Sequence, residues 1–167
     1  MQPDPTRVAD TKAWLAKATQ DLRRVEILLT AKPPDVEGAL FHSQQAAEKA
    51  LKAFLTWHDV PFRRVHDLEV IGGQCVDVDP SLADLANRVD ALTKYAWRFR
   101  YPGATYQPAL QEGRAASTLS REVMEAIVGR LPDETRNAPP RLTRGARSLK
   151  PGITRSSVPL PAWALSR

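Results

Sequence analysis

Asp35-Val36-Glu37-Gly38-Ala39-Leu40-Phe41-His42-Ser43-Gln44-Gln45-Ala46-Ala47-Glu48-Lys49-Ala50-Leu51-Lys52-Ala53-Phe54-Leu55-Thr56-Trp57 is the stretch that decides the fold. Asp35 suits an N-cap, because its carboxylate can accept from the free N–H groups of a first helical turn. Leu40, Ala47, Leu51, Phe54 and Leu55 then form one apolar line at helical spacing. Ala39, Ser43, Ala46, Ala50 and Ala53 form a second line, of small residues that let another helix approach closely. A helix apolar on two faces is either central in a bundle or lies at a dimer interface.

Helices are predicted on both sides of this one. Upstream, Trp14, Leu15, Ala18, Leu22, Val25, Leu28 and Leu29 make an amphipathic stripe. The predicted helix spans Thr11 to Ala31, with Asp10 as its cap, and Lys32-Pro33-Pro34 ends it. Downstream, His66-Asp67-Leu68-Glu69 opens a third helix, predicted to be short because Gly72-Gly73 weakens it. Asp79-Pro80 starts a fourth, since Pro suits the first helical position. It carries Leu82, Leu85, Val89, Leu92, Tyr95 and Ala96 and stops before Pro102-Gly103. Pro108 opens a fifth, whose apolar residues Ala115, Leu119, Val123, Ile127 and Val128 run to Leu131. No period-two strand interrupts them. The prediction is an all-α, antiparallel up-and-down bundle of four to five helices over residues 9–131.

Residues 132–167 read differently. Six of the 14 prolines fall there, no apolar stripe survives, and seven Lys or Arg face only Asp133 and Glu134. The chain has 24 basic and 19 acidic residues. Without the tail, 17 of each remain, so the body is neutral and the net charge of +5 belongs to the tail. Such composition predicts a disordered basic tail, by default without a specific role and alternatively able to attract RNA without sequence preference. Cys75 is the only cysteine, which excludes an internal disulfide. Met1 to Arg7 carry no apolar run, so a secretory signal is not expected there, and no run approaches the roughly 20 apolar residues needed to span a bilayer. These features predict a soluble cytoplasmic protein without membrane association. No Cys/His pair stands at ligand spacing and no glycine-rich phosphate loop occurs, so neither a metal nor a cofactor is expected.

Candidate ligand-binding residues fall in three places. Gln44, Gln45, Glu48 and Lys49 share one broad face of the second helix. By default that is a solvated face, with Gln45–Lys49 and Glu48–Lys52 supporting it at i,i+4; alternatively it lines a polar cleft for a nucleotide. Arg63, Arg64 and His66 precede the third helix, where an N-terminus attracts anions, although His66 also suits local capping. Arg98 and Arg100 complement the dipole at the end of the fourth helix. They also alternate with Tyr95, Trp97, Phe99 and Tyr101, a mixture suited to stacking on bases and gripping phosphate.

Three of these segments together resemble the HEPN domain family: Ala39 to Ala53, His66-Asp67-Leu68, and Tyr95-Ala96-Trp97-Arg98-Phe99-Arg100-Tyr101-Pro102. The resemblance implies a small helical bundle, commonly dimeric, associated with nucleotides or RNA. It also implies a small nucleotidyltransferase partner in a toxin–antitoxin-like pairing. Some members of the family are toxin ribonucleases, with an Arg followed four to six residues later by a His. Here Arg100 is followed by Tyr, Pro, Gly, Ala and Thr, and His42, His58 and His66 all lie upstream. Arg100 and Tyr106 stand six apart, in the manner of a tyrosine-bearing variant. The expectation is therefore a nucleotide- or RNA-binding protein that leans away from catalysis. Its candidate residues are Arg98, Arg100, Tyr101, His66, Arg64, Gln45, Lys49 and Tyr106. The alternatives are an RNA-cleaving toxin and a dimeric interaction module without a ligand. The alanine line of the second helix further predicts a homodimer with its groove beside the two-fold seam.

Overall fold

The computed structural model describes residues 4–62, 65–99 and 106–136. Six α-helices occur among them: α1 (Pro5–Thr30), α2 (Val36–Trp57), α3 (Leu68–Val78), α4 (Ala83–Val89), α5 (Leu110–Arg130) and α6 (Asp133–Arg136). Turns of 3₁₀ helix at Pro80–Leu82 and Asp90–Ala96 flank α4. The fold is an all-α bundle, as the periodicity predicts. No helix among the described residues is long and apolar enough to cross a membrane.

The structure places α2 at the centre, packed by α1, α5, α3 and the Asp90–Ala96 turn. Asp35 caps it as read, its carboxylate accepting from Gly38 N–H at 2.9 Å. Both apolar lines of α2 are buried within the one chain, including Ala39, Ala46, Ala50 and Ala53. This corrects the dimer argument drawn from the alanines: neighbouring helices of the same molecule already cover them. The core gathers Leu40, Phe54 and Leu55 of α2 with Leu68 and Ile71 of α3 and Ile127 of α5.

Four element boundaries depart from the periodicity. α1 starts at Pro5, with Asp4 accepting from Thr6 N–H at 3.0 Å, so Asp10 lies mid-helix and caps nothing. The apolar stripe is silent before Trp14, and the Asp-Pro start signal lies upstream of it. α3 is short, as predicted, at 11 residues, but continues through Gly72-Gly73, the pair expected to weaken it, as far as Val78. A Cβ at Gly72 would meet Ala86 Cβ at 3.1 Å, so the bare position is what lets α4 pack closely. The fourth predicted helix is α-helical only over Ala83–Val89. Val89, Leu92 and Tyr95, all buried, recur every three residues, and that row suits a 3₁₀ turn, in which i and i+3 eclipse. Beyond Leu131 the chain adds α6, where Thr135 is buried and the Arg136 guanidinium donates to the Leu131 carbonyl at 2.7 Å.

The buried face of α5 is also rotated from the predicted one. It consists of Gly113, Ala116, Ser120, Val123 and Ile127, while Ala115 is exposed and Leu119 half-buried. Small residues win this face because the approach is close: a Cβ at Gly113 would sit 2.9 Å from Leu29 Cδ2 and 3.0 Å from Val36 Cγ1.

The two glycines of α3 give a paired prediction. A Cβ at Gly73 meets no atom within 4 Å, so Gly73→Ala should stabilise the protein by roughly 0.5–1 kcal/mol through helix propensity. Gly72→Val should destabilise it by about 1–3 kcal/mol, because the branched side chain overpacks the α3–α4 contact. Urea denaturation of both variants is expected to move the midpoint in opposite directions; shifts of the same sign would refute the packing account.

Candidate functional site

The face of α2 read as solvated is a buried polar seam. Gln44, Glu48 and Lys52 follow one another at i, i+4 and i+8 and all three are buried. Glu48, with its side chain 4% exposed, accepts from Lys52 Nζ at 2.7 Å and from Gln44 Nε2 at 2.9 Å. Its carboxylate also meets His66 Nδ1 at 3.1 Å. The same side chains hold the backbone of the α2–α3 loop. Lys52 Nζ donates to the Val65 carbonyl at 3.2 Å, and Gln44 Nε2 to the His66 carbonyl at 3.2 Å. Lys52 further lies 5.6 Å from the ring centroids of Trp14 and of Phe62. Its charge is thus matched by a carboxylate and by two aromatic faces, which is how a buried ammonium is tolerated. The His66 side chain remains 56% exposed. The cap of α3 is Asp67, which accepts from Glu69 N–H at 2.9 Å, rather than His66.

A second carboxylate lies between α1 and α2. The Asp21 side chain is 2% exposed, and His42 Nδ1 and Arg24 Nη1 lie 2.9 Å and 2.8 Å from its Oδ1. Lys49 Nζ donates to its other oxygen. Burial alone would raise the Asp21 pKa. The hydrogen bonds from Lys49, Arg24 and His42, with the charge of Lys49, outweigh it, and the carboxyl is held below its ordinary 3.8.

The third group sits where the Asp90–Ala96 turn meets α5. Glu112, in the first turn of α5, accepts from the hydroxyls of both Tyr95 and Tyr106. Burial raises the Tyr95 pKa, and the neighbouring carboxylate raises it further. For Tyr106 the hydrogen bond to Glu112 is the main cause of a shift in the same direction. Arg98 places its guanidinium 4.3 Å from the Tyr106 ring centroid, and Lys94 Nζ lies 4.9 Å from that of Tyr95. Phe99 stacks on Tyr95 with centroids 6.2 Å apart and planes inclined by 7°. Trp97, the chain neighbour of Arg98, is 61% exposed.

A model of the HEPN domain matches residues 11–131, which is most of the chain. The chain belongs to the HEPN domain family. Neither the curated proteins nor the solved structures yield a match to this chain.

Within this HEPN domain the residues singled out from sequence divide between separate groups. Arg98 and Tyr106 are brought into contact. Lys49 pairs with Asp21 and His66 with Glu48. Gln45 joins the seam by donating to Gln44 Oε1 at 2.7 Å. Arg64, Arg100 and Tyr101 lie outside the described residues. The HEPN helices also draw together Asp67, Glu69 and Asp90, with oxygens within 4.8 Å of one another. Asp67 there is engaged in capping α3, and Asp90 accepts from Thr93 Oγ1 at 3.2 Å.

Sequence reasoning missed Asp21 and Glu112. Asp21 did leave a signal: it stands three residues after Ala18 and four before Val25, on the stripe that faces the core. An acid in that row must find donors, and α2 supplies two of them. Glu112 left none, because an acidic residue in a first helical turn is ordinary.

Asp21→Asn should lower stability at pH 7 by about 1–3 kcal/mol, since the donors around it lose a charged acceptor. The Asp21 pKa is lower in the folded than in the unfolded state, so its contribution is present above the unfolded value and is lost as pH falls through the folded one. Urea unfolding of the native protein and the variant should therefore differ at pH 7 and converge as pH falls below the ordinary carboxylate value of 3.8 and through the lowered folded one. A constant gap across that range would show that Asp21 acts by packing alone.

Proposed function

We propose that this HEPN protein binds a nucleotide or a single-stranded RNA on the surface formed by residues 94–99, Tyr106 and the first turn of α5. It would do so alongside a small nucleotidyltransferase partner. The observation that carries the reading is the Arg98 guanidinium lying 4.3 Å from the Tyr106 ring, with Trp97, its neighbour in sequence, 61% exposed. An exposed indole offers a base a stacking face, and a guanidinium and an ammonium at hand offer a phosphate two cations. Large exposed apolar side chains are few among the described residues: Ile27, Val70, Trp97 and Tyr106. Two of the four fall on this surface. Homodimerisation belongs to the same proposal, with a seam drawn from exposed apolar residues such as Ile27 rather than from the alanines of α2.

RNA cleavage is a second reading, and one observation favours it. Glu48 engages His66 Nδ1 while over half of the His66 side chain is exposed. A histidine held by a buried carboxylate and more than half exposed is arranged as a general base would be.

Fluorescence anisotropy with a labelled single-stranded RNA at low salt tests the binding surface. Trp97→Ala and Arg98→Ala should each weaken binding about 5- to 50-fold, the effect expected of one stacking or cationic contact. Undiminished affinity in both would move the site elsewhere, and no binding by the folded native chain would leave an interaction module. RNA recovered intact after incubation, with the His66→Ala variant indistinguishable, would remove the cleavage reading.

A further inference from the structure

Beside the Tyr95–Phe99 stack lies a cavity of about 360 Å³, lined by Asp35, Glu37, Gly38, Phe41, Tyr95 and Phe99. Its size falls in the lower part of the range of small-molecule sites, about 300–1,000 Å³. The lining combines two chemistries. Phe41 comes from α2, and Tyr95 and Phe99 from the chain around the second 3₁₀ turn, so three rings wall the space. Asp35 and Glu37 add two carboxylates. One oxygen of Asp35 accepts from Gly38 N–H at 2.9 Å, and the other accepts nothing among the described residues. Glu37 is exposed and makes no ion pair among the described residues. A Cβ at Gly38 would lie 2.6 Å from Asp35 Oδ2. The missing side chain is therefore what allows that carboxylate to fold over the first turn of α2.

We infer that this cavity takes a nucleobase bearing an exocyclic amine, adenine, cytosine or guanine, with the amine donating to the Asp35 and Glu37 carboxylates. The inference rests on the nucleotide- or RNA-binding reading and assigns the base class to it. Ring walls accept any base by stacking. The carboxylates select: they accept from both protons of the amine and repel the keto oxygen that replaces it in uracil or hypoxanthine, where a single ring N–H is left as donor. They also repel phosphate. The phosphate belongs instead to Lys94, which lies 4.9 Å from the ring of the shared Tyr95, and to Arg98. Tyr95 thus joins a base-binding cavity to a cationic surface.

The test is calorimetric titration of the full chain at low salt with two nucleotide pairs, AMP against IMP and CMP against UMP. Each pair differs at the exocyclic group. AMP and CMP should each bind about tenfold more tightly than their keto partners, the discrimination expected of one good base-edge contact. The double variant Asp35→Asn, Glu37→Gln keeps the capping oxygen. It should retain its circular dichroism while the preference shrinks to about twofold or less. Phe41→Leu should weaken all four nucleotides. Equal affinities within each pair, or a preference that survives in the double variant, would overturn the inference. Displacement of AMP by agmatine would overturn it too, by giving the cavity to a guanidinium. If labelled RNA binds through Arg98 with no amine preference, the base assignment falls and the binding surface stands. If neither RNA nor any mononucleotide binds, both fall.

Discussion

A buried carboxylate on a central helix has to be answered by donors from every side, and in this bundle that requirement fixes the geometry around α2. Glu48 is reached by Gln44 and Lys52 from its own helix and by His66 from the loop beyond. Because Lys52 and Gln44 also hold the Val65 and His66 carbonyls, the loop cannot move without stranding a buried charge. The start of α3 follows from this. Asp67 then caps α3, and Thr93 Oγ1 accepts from Leu68 N–H at 3.0 Å, which joins the second 3₁₀ turn to the same junction. The aromatic end of the site is positioned by that turn.

Asp21 does the same work between α1 and α2. It faces two cations and a histidine, so one negative charge organises a positive surround. The two carboxylates lie on different helices, Asp21 on α1 and Glu48 on α2 itself, and serve different joints. Both are satisfied by hydrogen bonds, as buried ionised groups must be.

Helix identity was legible in the sequence wherever a long apolar period met a cap. Asp35 and α2 illustrate this best, and Asp67 and Asp79 mark their elements nearly as well. Less legible was anything depending on how closely two helices approach. Gly72 reads as a helix breaker until Ala86 is seen opposite it, and Gly113 reads as neutral until Leu29 and Val36 are. Polar residues on the buried face were misread for a related reason. Gln44, Glu48 and Lys52 have the spacing of a solvated stripe, and sequence alone cannot show that Val65 and His66 fold over them. At the candidate site, the interleaving of Arg98 with aromatics was visible. Its contact with Tyr106 depends on Glu112, which lies 17 residues beyond the Tyr95 that it holds.

The seam also constrains how such a chain can change over generations. Glu48 and Lys52 neutralise each other inside the protein, so losing either alone leaves an uncompensated buried charge, typically a cost of about 3–5 kcal/mol. Replacing both together with apolar side chains of similar volume can be neutral or even favourable. The two positions are therefore coupled: the intermediate in any stepwise exchange is worse than either end. Lineages that keep one should keep the other, and those that abandon the pair should have altered Gln44 and the contacts of Val65 as well. The loop that carries His66 thereby inherits the slow drift of a core rather than the fast drift of a surface.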